Sequence, residues 1–181
     1  MIIEYTLTAE DYLTFHLFTS SKSALIKKKR SRNKILVPVC YLIIGVFSFY
    51  NGKQIFAVLM ALASVLWYFL YPIREKARYV KYFKDFIKEN HQEKIGRTVT
   101  LEIQNDLIFS KDSGGEGKIL TTEIAELNEI PHYIFLKFKT GQVLIFPKDK
   151  MPAFEALRTR LRELASYLSI PYNVDEHWKW K

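Results

Sequence analysis

The sequence predicts an α+β membrane protein, in which a two-helix transmembrane hairpin is attached to a small antiparallel β-sandwich or barrel with a C-terminal helix. Two observations predict this class: two long uncharged segments in the first half, and a later change to the two-residue alternation of strands. With 49% apolar residues among 181, the chain is too apolar for a disordered protein. We expect four parts, at residues 1–34, 35–73, 74–95 and 96–181.

In the first part, residues 1–34, the sequence predicts a strand and a short helix, followed by a polybasic segment. Residues 2–7 alternate as a strand does, and Thr8 followed by Glu10 and Asp11 is typical of a helix N-terminus. We expect the strand to join the sheet formed by the later strands, because an isolated strand leaves its backbone groups without partners.

The second part, residues 35–73, predicts the transmembrane hairpin. Residues 35–50 and 55–73 are uncharged over 16 and 19 residues and are separated by an Asn-Gly turn. At about 1.5 Å per residue they reach roughly 24 and 28 Å, close to a hydrocarbon core of about 30 Å. The shorter segment spans the core if its helix begins at residues 33–34, which places Pro38 in the first turn. Neither segment has the polar stripe of a soluble helix, which favours membrane helices over buried core helices.

The charge distribution indicates a lipid partner and an orientation. The net charge is +8, yet residues 96–181 carry 12 basic and 12 acidic groups, so the excess lies beside the apolar segments. This pattern favours anionic lipid headgroups over nucleic acid, which would require a basic globular surface. Lys53 is alone in the turn, so the positive-inside rule places both termini in the cytoplasm of a multi-pass protein of the cytoplasmic (inner) membrane.

Two sets of residues follow as candidate membrane contacts. The basic residues that flank the hairpin are expected to contact lipid headgroups: Lys27, Lys28, Lys29, Arg30, Arg32, Lys34, Arg74, Lys76 and Arg78. The aromatic residues near the segment ends and in the C-terminal tail are expected at the membrane interface: Tyr50, Trp67, Tyr68, Tyr71, Trp178 and Trp180. For the tail, a frayed terminus is the alternative.

In the third and fourth parts, residues 74–95 and 96–181, the sequence predicts a helix followed by a β domain. Residues 74–90 continue as a helix whose aromatic face either packs on the following sheet or lies on the lipid surface. From residue 98 short strands recur every 8–12 residues, with KDSGGEG at 111–117 as a flexible turn. Residues 152–168 then form an amphipathic helix.

Strands capped by one C-terminal helix match the outline of a pleckstrin-homology-like domain. The whole arrangement, with TLEIQNDLIFS at 100–110 and IFPKDKM at 145–151, resembles the YcxB-like membrane protein family. The resemblance implies a pleckstrin-homology-like cytoplasmic domain and no established reaction. The family pattern also has a tryptophan in the strand where this chain has TTEIAELNEI.

No motif for chemistry is found. The four histidines have no metal-ligand spacing, the single Cys40 lies in an apolar segment, and the glycine-rich loop lacks the Lys-Ser/Thr of a phosphate loop. We therefore expect no catalytic residues, metal or cofactor, and a non-enzymatic membrane-anchored module that binds a protein or peptide partner. The alternative is a component of an oligomeric membrane enzyme or pore complex, and the sequence leaves a homo-oligomer open.

Overall fold

The chain has an α+β fold in a computed structural model that describes residues 1–180. Its α-helices are α1 (Ala9–Lys22), α2 (Ala24–Tyr50), α3 (Gln54–Asn90) and α4 (Phe154–Tyr167). Its strands are β1 (Ile2–Thr6), β2 (Thr98–Ile103), β3 (Leu107–Asp112), β4 (Gly115–Leu120), β5 (Ile124–Ile130), β6 (Tyr133–Phe138), β7 (Val143–Pro147) and β8 (Tyr172–Val174). Residues 1–15 and 84–179 form one compact unit, here the β unit; residues 16–83 and residue 180 belong to a second, the hairpin unit.

The first sheet of the β unit is antiparallel, in the order β1-β2-β3-β4. Strand β1 pairs with β2, with Ile3 opposite Leu101 and Tyr5 opposite Val99. The predicted union of the N-terminal strand with the later sheet is therefore confirmed. Ile3 and Tyr5 are buried while Ile2 and Glu4 are exposed, as the two-residue period requires.

The second sheet is mixed, in the order β7-β6-β5-β8. Strands β5, β6 and β7 are antiparallel, as expected, but β8 runs parallel to β5. The expectation of purely antiparallel strands missed this element, because three residues are too few to show an alternation. The return of the chain after α4 positions β8: Ser169 adopts a φ of 54°, and Leu127 N donates to Pro171 O at 2.9 Å.

The loop expected at residues 111–117 is mostly strand, so that prediction was wrong. Strand β3 continues to Asp112 and β4 begins at Gly115, which leaves Ser113 and Gly114 as the turn. Asp112 Oδ1 accepts a hydrogen bond from Gly114 N at 2.7 Å and closes the turn. Backbone pairing with β3 extends the glycine-rich sequence in spite of its low strand propensity.

The core of the β unit is made by the sheets and one face of α4. Leu157, Leu161 and Leu164 of α4 are buried, at the spacing that the sequence predicted. Phe135, Phe138 and Phe146 are the largest fully buried side chains. These rings and leucines form the apolar interior that holds the strand ends and their polar residues in place.

In the hairpin unit, α2 begins earlier than expected. Ser23 Oγ accepts from Ile26 N at 3.4 Å as the N-cap, and the polybasic run at 27–34 is helical. Lysine and arginine are good helix formers, so the run continues the helix instead of preceding it. Pro38 therefore lies inside the helix and not in its first turn. At 27 and 37 residues, α2 and α3 are about 40 and 55 Å long, and α3 continues through residues 74–90 as predicted.

Adjacent residues of β1 give a matched stability test of the first sheet. We expect Ile3→Ala to lower the free energy of unfolding by about 2 kcal/mol or more, because it empties a buried site. Ile2→Ala should change it by less than about 0.5 kcal/mol, because Ile2 is 67% exposed on the other face. Urea unfolding of the full chain in detergent measures both; equal losses would contradict the strand register.

Candidate membrane and partner-binding surfaces

The helices of the hairpin unit present a continuous apolar surface. Both α2 and α3 are long and apolar enough to cross a membrane, and only 17% of the most apolar 18 residues of each are buried. The exposed side chains include Ile35, Leu36, Ile43, Phe47, Val58, Leu62, Leu66, Phe69 and Leu70. A core helix of a soluble protein would bury most of such a segment, and soluble proteins rarely expose apolar patches of this extent.

Small residues bring the two helices together. A Cβ atom added to Gly45 would lie 3.3 Å from Ala57 O and 3.3 Å from Met60 Cβ, which is tighter than ordinary van der Waals contact. Ser64 Oγ donates to Pro38 O at 3.2 Å in the same seam. Close approach through small residues and hydroxyl hydrogen bonds is typical of helix pairs in lipid.

A buried carboxylate joins α2 and α3 at the end of the apolar seam. Glu75 is 4% exposed and receives a hydrogen-bonded ion pair from Arg30 Nε at 2.6 Å. The Tyr71 hydroxyl donates to Glu75 Oε1 at 2.8 Å. The Arg30 guanidinium lies 4.7 Å from the ring of Trp180, which also packs on Tyr79 with ring centroids 5.3 Å apart. The Glu75 carboxylate therefore has both a cation and a hydroxyl donor within the hairpin unit.

The predicted lipid-contacting residues divide into two groups. Arg30 faces inward to Glu75, and Lys34 is half-buried with its ammonium 4.2 Å from the Tyr68 ring centroid. The others are exposed on α2 and on α3 just beyond its apolar part: Lys27, Lys28, Lys29, Arg32, Arg74, Lys76 and Arg78. These seven residues are here called the basic collar.

The predicted interface aromatics also differ in exposure. Tyr50 is 84% exposed beside the turn, and Tyr68 is 45% exposed. Trp67 and Trp178 are half-buried. Tyr71 and Trp180 are buried in contact with the Glu75–Arg30 pair, so their rings serve the interior of the hairpin unit.

A second buried carboxylate, Glu129 on β5, lies in the β unit and is 2% exposed. Its oxygens receive Lys148 Nζ at 2.7 Å, Arg158 at 3.0 Å and the Tyr172 hydroxyl at 2.7 Å, with Arg162 at 3.5 Å. Burial raises the pKa of Glu129, but the hydrogen bonds from Lys148, Tyr172 and Arg158 outweigh it, and the net pKa lies below its ordinary value. Burial and the bond to Glu129 raise the pKa of Tyr172 to about 12.

A third carboxylate, Asp11 on α1, completes the set. Asp11 Oδ2 accepts from Thr8 N at 2.6 Å and from Lys150 Nζ, and its Oδ1 accepts from the Tyr133 hydroxyl at 3.0 Å. Burial raises the pKa of Asp11, but the bonds from Lys150 and Thr8 reverse this and hold it below its ordinary value. Lys148 and Lys150 both belong to the PKDK sequence at 147–150, which therefore supplies one cation to Glu129 and one to Asp11.

One shallow cleft of about 260 Å³ lies beside this network in the β unit. Its lining includes Thr14, His132, Tyr133, Asp149 and Trp178. The hydroxyl of Tyr133 is bound to Asp11, and burial and the Asp11 charge raise its pKa to about 12, which leaves it a hydrogen-bond donor. In residues 1–180 no three His, Cys, Asp or Glu side chains are grouped so that they could hold a metal ion.

The edge of the first sheet at β4 is open. Within the part of the chain that the structure describes, β4 pairs with β3 alone. All of its residues are exposed except Ile119, which is half-buried. An uncovered strand edge offers unpaired backbone N–H and C=O groups to an added strand.

In comparisons with protein-family models, curated proteins and solved structures, nothing matches the chain. The resemblance to the YcxB-like family therefore stays a prediction. The fold and the surfaces above are the basis for function.

Sequence reasoning missed all three buried carboxylates. One signal was present for Glu75, which is the only acid between residues 55 and 84 and follows Tyr71 by one helical turn. Asp11 was recognised as a capping residue, but its bonds to Lys150 and Tyr133 join residues more than 120 positions apart. Nothing local distinguishes Glu129 from Glu123 and Glu126, which are only half-buried.

Two arginines near the same carboxylate give a matched test of the Glu75 cluster. We expect Arg30→Met to cost about 3 kcal/mol, because it leaves Glu75 buried without its closest cation. Arg78→Met should cost less than about 1 kcal/mol, because the Arg78 side chain is 64% exposed and 3.8 Å from Glu75. Thermal unfolding in detergent compares the two, and an equal effect would show that Arg30 does not hold the hairpin unit together.

Acid unfolding tests the Glu129 network. The folded-state pKa of Glu129 lies below its ordinary value, so its contribution is complete above that value and is lost as pH falls through the folded-state pKa. Lys148→Met raises the folded-state pKa, so we expect unfolding to begin at a higher pH, with a loss of about 1.5–3 kcal/mol at pH 7. Lys137→Met is the control, because its pair with Glu126 is exposed. Equal acid midpoints for the two variants would contradict the assignment.

Proposed function

We propose that the chain is a non-enzymatic module anchored in the cytoplasmic membrane by α2 and α3, with a pleckstrin-homology-like β unit that binds a protein or peptide partner at the cytoplasmic face. The observation that carries the proposal is the apolar surface of α2 and α3, which is left exposed over most of its length. Lipid is the solvent that such a surface requires.

The orientation follows from the basic collar. Its seven residues lie in the first turns of α2 and in the middle of α3, at the end of the two apolar segments that is away from the 51–53 turn, and the turn carries Lys53 alone. By the positive-inside rule this end faces the cytoplasm, where the collar contacts anionic headgroups at about 1 kcal/mol per residue. Native mass spectrometry that finds no retention of anionic over neutral lipid would contradict the lipid contact.

The order of elements supports the pleckstrin-homology-like assignment. The strands β2 to β7 follow one another as antiparallel neighbours within two sheets, and α4 follows β7. Strand β1 is added from the N-terminus and β8 from the C-terminus. Because β1 pairs with β2, β4 remains an outer strand of the first sheet.

Binding is favoured over catalysis by how the polar groups are used. The carboxylates of Glu129 and Asp11 are ionised and bonded to lysine, arginine and tyrosine, so they hold elements together. A general acid or base instead needs a pKa shifted towards neutrality. The open β4 edge offers a peptide-recognition mode that requires only backbone groups.

Cysteine labelling tests the anchoring and the orientation together. On a Cys40→Ser background, Lys53→Cys should react with an impermeant thiol reagent in intact cells, because the turn lies outside. Ser113→Cys, in the exposed β3–β4 turn, should react only after the membrane is opened. The reverse pattern would overturn the orientation, and recovery of the chain in the soluble fraction would overturn the anchoring.

A further inference from the structure

The backbone groups of β4 that face away from β3 can be assigned from the hairpin geometry. Strands β3 and β4 are joined by a two-residue turn, with Asp112 opposite Gly115. In such a hairpin the residues that flank the turn exchange both main-chain hydrogen bonds, and alternate residues point both groups outward. The N–H and C=O groups of Glu116, Lys118 and Leu120 are therefore directed to the open edge.

Among the registers of an antiparallel pair of β4 strands, one places opposite charges face to face. An antiparallel copy must place outward-directed residues opposite one another. Centred on Glu116 or on Lys118, the pairing puts two like charges face to face, which is destabilising. Centred on Gly117, it places Glu116 opposite Lys118 of the second copy, and does so twice because the arrangement is two-fold symmetric.

We propose that the partner of the β4 edge is a second copy of this chain, joined through antiparallel β4–β4 pairing about a two-fold axis at Gly117. The pairing extends the four-stranded sheet of each copy into one sheet of eight strands. The proposal rests on the proposed function, because it names the partner of the edge assigned there. Anchoring in a membrane supplies the effective concentration that a short strand pair needs.

Space and side-chain position are compatible with this pairing. A Cβ atom added to Gly117 would meet nothing within 4 Å, so the backbone at the axis is accessible. Glu116 already binds Lys111 on the neighbouring strand at 2.7 Å, and both side chains are more than half exposed. In the pair of copies, Glu116 lies between Lys111 of its own chain and Lys118 of the other.

Disulfide crosslinking of the full chain in membranes tests the register. The two Gly117 residues face each other as a non-hydrogen-bonded pair, with Cα atoms about 4.5 Å apart, within the range of a disulfide. On the Cys40→Ser background, Gly117→Cys should form a covalent dimer on mild oxidation. Ser113→Cys is the control, because the two copies of residue 113 are separated by about eight strand residues, or roughly 26 Å.

Charge reversal tests the same contact without a cysteine. Glu116→Lys or Lys118→Glu alone opposes like charges at both pairs, and we expect either to weaken self-association roughly tenfold. When two differently tagged copies are co-expressed, one with E116K and the other with K118E, both pairs become attractive again. Co-purification should then return to within about twofold of the wild-type level. Circular dichroism of each variant checks that it folds.

Each outcome decides between a second copy and another occupant. A monomer in membranes for the wild type, or equal self-association of all charge variants, would overturn the proposal. Crosslinking of Gly117→Cys to a different protein and not to itself would assign the edge to a foreign strand. Membrane fractionation of the same samples reports the anchoring separately, so the dimer can fail while the proposed function stands.

Discussion

The ion pair between Arg30 and Glu75 stabilises the alignment of α2 and α3 in the hairpin unit. The seam between them is built from small and apolar groups, with a close approach at Gly45 and a hydrogen bond from Ser64 to Pro38 O. A slip of one turn, about 5.4 Å, would leave two charges buried and unpaired at the seam's end. Tyr71, one turn earlier on α3, donates its hydroxyl to the same carboxylate. The ion pair thus reinforces the alignment that the small-residue seam and the short turn between the helices also favour.

In the β unit, buried carboxylates are likewise paired with cations, which come from a short segment after β7. A 3-10 turn, Lys148–Lys150, directs two lysines to carboxylates that come from different parts of the chain. Lys148 binds Glu129, which also binds Arg158 of α4 and Tyr172 of β8. Lys150 binds Asp11 near the start of α1. The two lysines of the PKDK sequence therefore have a structural role, because each binds a buried carboxylate. Each buried carboxylate is surrounded by donors, which is the condition under which such a group stabilises a fold.

The sequence predicted the parts of this structure that arise from local periodicity. The apolar helices, the strand alternation and the leucine face of α4 repeat at their own period, so each is visible within a short window. The start of α2 was harder to predict from the sequence. Ser23 is one of several serines near this point, and it is recognisable as the N-cap only once the lysines are known to be helical. Strand β8 and the partners of Glu129 depend on contacts between distant residues, and the inward direction of Arg30 depends on Glu75, 45 positions away. Long-range contacts of this kind leave no periodic trace in the sequence.

The pairing of β1 with β2 has a consequence for the order of synthesis. Strand β1 leaves the ribosome before its partner β2, which follows only after both long helices have been made. At about 5–20 residues per second the intervening chain takes roughly 5–20 s to produce, and during this time the nascent strand has an unsatisfied edge. The first sheet therefore closes after α2 and α3 have emerged. Ile3 and Tyr5 therefore remain without their cross-strand partners, Leu101 and Val99, until β2 has been made.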